Sequence, residues 1–118
     1  MISDERFRKS EHILKSKDFR VIYKKGNSVK VGPLVLSYLP NGLLYSRLGF
    51  SISSRTVKLA SNRNRIKRIF REIYRKEKKS VKKGFDIVII IRRNLPRPIQ
   101  YKDMKDMFFK AIKTAGIS

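Results

Sequence analysis

The sequence predicts an α/β (α+β) two-layer sandwich, with a central sheet and helices packed against one face. Two stretches, 62–79 and 101–115, repeat apolar residues at helical spacing, while 34–39, 45–53 and 85–91 alternate or run β-branched. Their order, short helix, strand, strand, long helix, strand, helix, fits one sheet in a single domain spanning 1–118.

Residues 1–15 carry alternating charge with little apolar period and read as a flexible or extended basic arm. In KSKDFRVIYKKG, Phe19, Ile22 and Tyr23 share a helical face, Ser16 offers a cap to Phe19 and Arg20, and Gly26 ends the helix. Leu34, Leu36 and Tyr38 then alternate with Val35, Ser37 and Leu39. Pro40-Asn41-Gly42 supplies a turn signal and predicts a hairpin with the next strand, Tyr45 to Ser53. There Leu48, Phe50 and Ile52 point one way, and Gly49, Ser51 and Ser53, small enough for a ligand or another backbone to approach, point the other.

From Asn62 to about Lys79, Ile66, Ile69, Phe70 and Ile73 form one apolar stripe, with Ser61 or Asn62 available as a cap. The β-branched run Phe85 to Ile91 predicts a central, well-covered strand. Arg92, Arg93 and Arg97 mark a basic break. Met104, Met107, Phe108, Ala111 and Ile112 then line one side of a last helix, Tyr101 to Ala115, ended by Gly116.

Charge decides the function class. Thirty Lys and Arg against nine Asp and Glu give +21 at pH 7, which calls for a polyanionic partner, DNA or RNA. The absence of Cys removes disulfides, thiolate catalysis and cysteine metal sites, and His12 is the only histidine. The N-terminus lacks the apolar stretch of a secretory signal, and Ile87–Ile91 is far below the roughly 20 residues that span a bilayer. The expectation is a soluble cytoplasmic protein, away from membranes and without an obligate protein partner.

The densest candidate is the helix from Asn62. Asn64, Lys67, Arg68, Arg71, Arg75 and Lys78 fall opposite the apolar stripe, where Arg forks grip phosphates and an amide can read a base edge or sugar hydroxyl. A solvated helix face has the same pattern. Phe19 and Tyr23, flanked by Lys17 and Arg20, suit stacking of unpaired bases, or plain packing on a sheet. Arg55 and Lys58, in Ser53-Ser54-Arg55-Thr56-Val57-Lys58, offer phosphate contacts from a loop. Asp86, Asp103 and Asp106 form no secure metal pair, so no catalytic residue and no metal ligand is assigned.

Asn62-Arg63-Asn64-Arg65-Ile66-Lys67-Arg68 resembles the signature of the bacterial ribonuclease P protein subunit, Arg-Asn-Arg followed by an apolar residue and Lys-Arg. Lys17-Asp18-Phe19 leading to Tyr23 and Gly26, Ser46 through Ser53, and Phe85-Asp86-Ile87-Val88 agree in order, so the similarity covers nearly the whole chain. The resemblance implies a catalytic ribonuclease P RNA as partner and precursor tRNA as substrate. The holoenzyme would remove the 5′ leader by Mg²⁺-dependent hydrolysis, with the metal held by the RNA and no cofactor on the protein side chains alone. It implies Arg63, Asn64, Arg65, Lys67 and Arg68 as the RNA-binding motif, with Phe19 and Tyr23 in a leader cleft between the first helix and the sheet. The implied fold resembles the second domain of ribosomal protein S5, with a left-handed βαβ crossover, against the usual hand. Two departures from the family stand out: Ser54-Arg55 stand where many members carry two lysines, and Ser37 where some carry Tyr. A ribosomal or general structured-RNA binder and a DNA-architectural protein remain the alternative readings.

Overall fold

A computed structural model of the chain describes residues 9–13, 16–93, 95 and 100–118. The elements are α1 (Ser16–Lys25), β1 (Asn27–Val31), β2 (Leu34–Pro40), β3 (Arg47–Ile52), α2 (Ala60–Glu77), β4 (Phe85–Ile91) and α3 (Tyr101–Ala115). Single turns of 3-10 helix lie at Lys9–Glu11 and Lys78–Ser80. The sheet order is β1-β2-β4-β3; β2 is antiparallel to β1 and β4, and β3 is parallel to β4. The connection from β3 through α2 to β4 is therefore a βαβ crossover between neighbouring strands.

The expected hairpin at Pro40-Asn41-Gly42 does not form, because β4 lies between β2 and β3. Ile87–Ile91 is apolar on both faces and gains most from a neighbour on each side, which outweighs a local turn preference. The hairpin lies one strand earlier. β1, unanticipated in the sequence, turns through Gly32-Pro33, where Gly32 takes φ +55°, and pairs Val31 with Leu34 and Asn27 with Tyr38.

Residue parity splits the sheet into two apolar faces. Leu34, Leu36, Leu48, Ile87, Ile89 and Ile91 meet Ile66, Phe70, Ile73 and Tyr74 of α2 and Met104, Phe108, Ala111 and Ile112 of α3. Val88 faces the other way and is sealed by Ile22 of α1 and by Ile13, with Phe19, Leu39 and Ile90 against them. The expected placement of all helices on one face is thus corrected: α1 forms a partial third layer. Without it Val88 would lie in water, at a cost of about 1.5–3 kcal/mol.

The stripe on α2 is rotated from the expected one. Ile66, Phe70, Ile73 and Tyr74 are buried, whereas Ile69 sits at the edge and is half-buried. The cap expected from Ser61 or Asn62 is also absent. Leu59 occupies the N-cap position with extended backbone and no side-chain bond, and Ser61 and Asn62 lie within the first turn. Gly26 closes α1 through its N–H to the Ile22 carbonyl at 2.8 Å, and Gly116 ends α3 as expected. Ser16, expected as the cap, is the first residue of α1 itself, and Lys15 before it lies outside the described residues.

Residues 9–13 lie along the outer edge of β3. His12 bridges to Leu48 in parallel, and the Ile13 N–H donates to the Leu48 carbonyl at 2.9 Å. This covers one edge of the sheet that would otherwise offer unpaired backbone groups.

Candidate nucleic-acid interface

The crossover helix concentrates positive charge at its start. Ala60 to Arg71 holds Arg63, Arg65, Lys67, Arg68 and Arg71 and no acid, giving +5, whereas Glu72 to Glu77 balances Arg75 and Lys76 with two glutamates, giving 0. Asn64, Arg65, Arg68 and Arg71 are exposed and Lys67 is half-buried. The Arg71 guanidinium lies 5.4 Å over the Phe50 ring, which steadies it while leaving its edge in water. A helix N-terminus adds partial positive charge of its own, so this end is the more favourable one for phosphate.

Arg63, Arg75 and Lys78 hold bonds within the protein. Arg63 donates from Nη1 to the carbonyls of Val57 and Lys58, both at 2.9 Å, and so ties the preceding turn to the helix. Arg75 forms a two-point pair with Glu72 at 2.6 and 3.1 Å, and this holds the Glu72 carboxyl below its ordinary range. Lys78 lies beyond the α-helix and reaches buried Glu11 at 3.1 Å, which removes it from the expected exposed row. The turn itself is built on Ser53, whose carbonyl accepts the N–H groups of Thr56 at 3.2 Å and Val57 at 3.0 Å. Ser54, Arg55 and Lys58 project from it and are exposed.

Phe19 and Tyr23 lie on the opposite side of the sheet, separated from the basic face of α2 by the whole core. Their rings stand 6.4 Å apart at 37°; Phe19 is half-buried, Tyr23 is 48% exposed, and Lys17 and Arg20 beside them are exposed. Strand register places two rows of side chains on this face. Ser28, Ser37, Val88 and Gly49 form one row, under α1 and Ile13 where it is buried, and Lys30, Val35, Ile90 and Ser51 form the next. In the second row Val35, Ile90 and Ser51 are half-buried and Lys30 is exposed, making an apolar shelf with a cation at its edge. Bases can lie on such a shelf while phosphates meet the lysines and arginines around it.

Two participants, Ser28 and Arg47, escaped the sequence reading. Ser28 pairs with Ser37 through their hydroxyls at 2.8 Å, and Ser37 is buried. Arg47 grips Asp86 at 2.6 and 2.8 Å and lies 3.8 Å from Asp18 at the start of α1. The hydrogen bonds that Arg47 donates to the Asp86 carboxylate hold its guanidinium above its ordinary pKa. Asp86 was legible as a strand-start acid; its partner was not, because the pairing spans two strands adjacent only in the folded sheet. The basic break is partly traced: Arg92 bonds the Gly32 carbonyl at 2.8 Å and Arg93 is exposed, while Arg97 lies outside the described residues.

Among the described residues no group of three His, Asp or Glu side chains is placed to hold a metal ion, and no helix is long and apolar enough to cross a membrane.

Comparison with known proteins matches this architecture throughout. The Ribonuclease P protein component of Thermotoga petrophila is 40% identical over 99 residues, covering 84% of each chain. The structure of a Staphylococcus aureus RNase P protein mutant with defective mRNA degradation activity superposes with TM-score 0.84 at 31% identity, covering 93% of this chain and 92% of that one. The RNase P protein from Thermotoga maritima superposes with TM-score 0.80 at 33% identity, covering 88% of this chain and 96% of that one. With the Ribonuclease P family model matching residues 7–116 as well, the chain belongs to the bacterial ribonuclease P protein family.

Proposed function

We propose that the chain is the protein subunit of ribonuclease P, which binds RNA and assists removal of the 5′ leader from precursor tRNA in the cytoplasm. The observation that carries the mechanism is the placement of two unlike surfaces on opposite sides of one sheet. The N-terminal half of α2, with Asn64, Arg65, Lys67, Arg68 and Arg71, presents a dense cationic ridge for a folded RNA. Arg55 and Lys58 extend that ridge, and Arg63 supports it from behind. The shelf beside Phe19 and Tyr23, with Lys17 and Arg20 at its border, suits a single strand. One small protein can therefore hold a catalytic RNA and an unpaired leader at once.

In this reading the hydrolysis and its Mg²⁺ belong to the RNA. The placement of the carboxylates supports it: Glu11, Asp18, Glu72, Glu77 and Asp86 each lie in an ion pair with Lys or Arg. The protein contributes cations that neutralise phosphate, lowering the RNA's need for screening ions. The βαβ crossover through α2 is further proposed to be left-handed, in an S5-like fold, as the family resemblance implies.

Reconstitution tests the reading. Purified protein alone should leave precursor tRNA intact, whereas its addition to ribonuclease P RNA at low Mg²⁺ should increase cleavage at the mature 5′ end. Binding to structured RNA without any gain in processing would favour a general RNA-binding role, and preference for duplex DNA would favour an architectural one. Tyr23→Phe, which keeps the ring, should be mild. Phe19→Ala should weaken binding of precursor tRNA more than of mature tRNA.

A further inference from the structure

The loop between β2 and β3 exposes a cluster of apolar side chains in a fixed conformation. Leu44 is 92% exposed, with Leu43 and Tyr45 each 38% exposed beside it. Asn41 organises the loop: its N–H donates to the Gly84 carbonyl at 2.8 Å, and its Nδ2 to the Tyr45 carbonyl at 3.2 Å and Asp86 Oδ1 at 2.9 Å. Its Oδ1 accepts the Leu43 N–H at 2.8 Å. The adjoining segment is locked as well, since the Ser46 hydroxyl donates to the Lys82 carbonyl at 2.9 Å. A preorganised apolar tip loses little freedom when something covers it.

The surroundings are basic. Lys82 and Lys83, both exposed, precede Gly84; Arg47, Lys82 and Lys83 against Asp86 leave +2. Lys82 Nζ already bonds the Gly116 carbonyl at 3.2 Å, so Lys83 is the better phosphate contact. We propose that Leu43, Leu44 and Tyr45 seat one unpaired nucleotide of an RNA strand, with the base against Tyr45 and Leu44 and a flanking phosphate on Lys83. A second copy of the chain fits worse, because a two-fold contact would bring the same cations face to face. The site is separate from the two surfaces above. It precedes β3 whereas the Ser53 turn follows it, about six residues or 20 Å along the strand, and it lies beyond the Arg47–Asp86 row from the shelf. The inference rests on the reading of the chain as an RNA-binding subunit.

The chain contains no Trp, so Leu44→Trp provides a single reporter at a fully exposed position. Its emission should be quenched saturably by a single-stranded RNA of about 12 nucleotides, or by ribonuclease P RNA. Tyr45→Ala in that background should weaken the binding so measured about fivefold, the lower end of the contribution of one stacked base. In the unaltered protein, bound RNA should protect Lys83 from acylation. Emission unmoved by both RNAs, with Lys83 equally reactive, overturns the proposal. So does a blue shift that grows with protein concentration in the absence of RNA, which would assign the loop to self-association. If the unaltered chain still stimulates ribonuclease P RNA in either of those cases, the loop assignment alone fails; if it does not, the broader functional reading has failed.

Discussion

The Phe19 ring lies where a side chain at position 49 would have to be. A Cβ on Gly49 would stand 2.9 Å from Phe19 Cζ and 3.0 Å from Ile13 Cβ, inside normal contact distance. Gly49 thus seats the aromatic that α1 sends down onto β3, and it fixes the height of α1 over the sheet. The packing and binding readings of Phe19 meet in this contact, since the ring is half-buried on Gly49 while Tyr23, one turn on, remains open.

Gly49→Ala should therefore lift Phe19 and cost about 1–3 kcal/mol of stability, as overpacking does. The same variant should lower the ratio of precursor to mature tRNA affinity in the reconstituted holoenzyme. Thermal melts run beside the binding series check both effects, and a destabilised protein with an unchanged ratio would assign the contact to folding alone.

On α2, charge and core should separate cleanly. Arg68→Glu should weaken binding to ribonuclease P RNA and flatten its salt dependence while leaving the melting temperature nearly unchanged, because the side chain is exposed. Ile73→Asp should cost more than about 4 kcal/mol or prevent folding, since Ile73 is fully buried. Ile69→Asp should be milder than Ile73→Asp, and circular-dichroism melts of the pair would test the rotated stripe.

Asp86 joins three segments: Arg47 of β3, Asn41 of the exposed loop and, through Arg47, Asp18 of α1. Asp86→Ala should destabilise by about 2 kcal/mol, less than a fully buried pair would because Arg47 keeps partial access to water. Denaturant titration should show this loss, and it should shrink in an Arg47→Met background, where no guanidinium is left unpaired.

Tyr74 predicts the alkaline limb of stability. Burial, aided by nearby Glu11 and only partly offset by the Ser46 hydrogen bond, raises its phenol pKa well above 10. The unfolded phenol ionises near 10, so its contribution is complete below that pH and declines as pH rises toward the folded value. Denaturant midpoints should fall more steeply above pH 10 in the unaltered chain than in Tyr74→Phe. Absorbance at the tyrosinate band should lose its highest-pH portion in the same variant.

Elements whose signal is local and periodic were legible along the chain. The limits of α3, Tyr101 to Ala115, and the central position of β4 follow from apolar spacing and β-branching, because those patterns make sense in only one kind of burial. The exposed polar row of Asn64, Arg68 and Arg71 was legible for the same reason, since a helix period sets which residues face away from a stripe, but its expected continuation through Arg75 and Lys78 ends in ion pairs with Glu72 and Glu11. Features that depend on strands distant in the chain emerge only in the folded sheet. Whether Asn41-Gly42 closed a hairpin depended on β4, more than forty residues away, entering between β2 and β3. Its second apolar face then drew α1 to the far side of the sheet, and with it Phe19 onto Gly49. Local turn chemistry encodes a bend, but the partner of a strand is set by which pairing buries the most apolar surface on both faces, and that is a property of the assembled sheet.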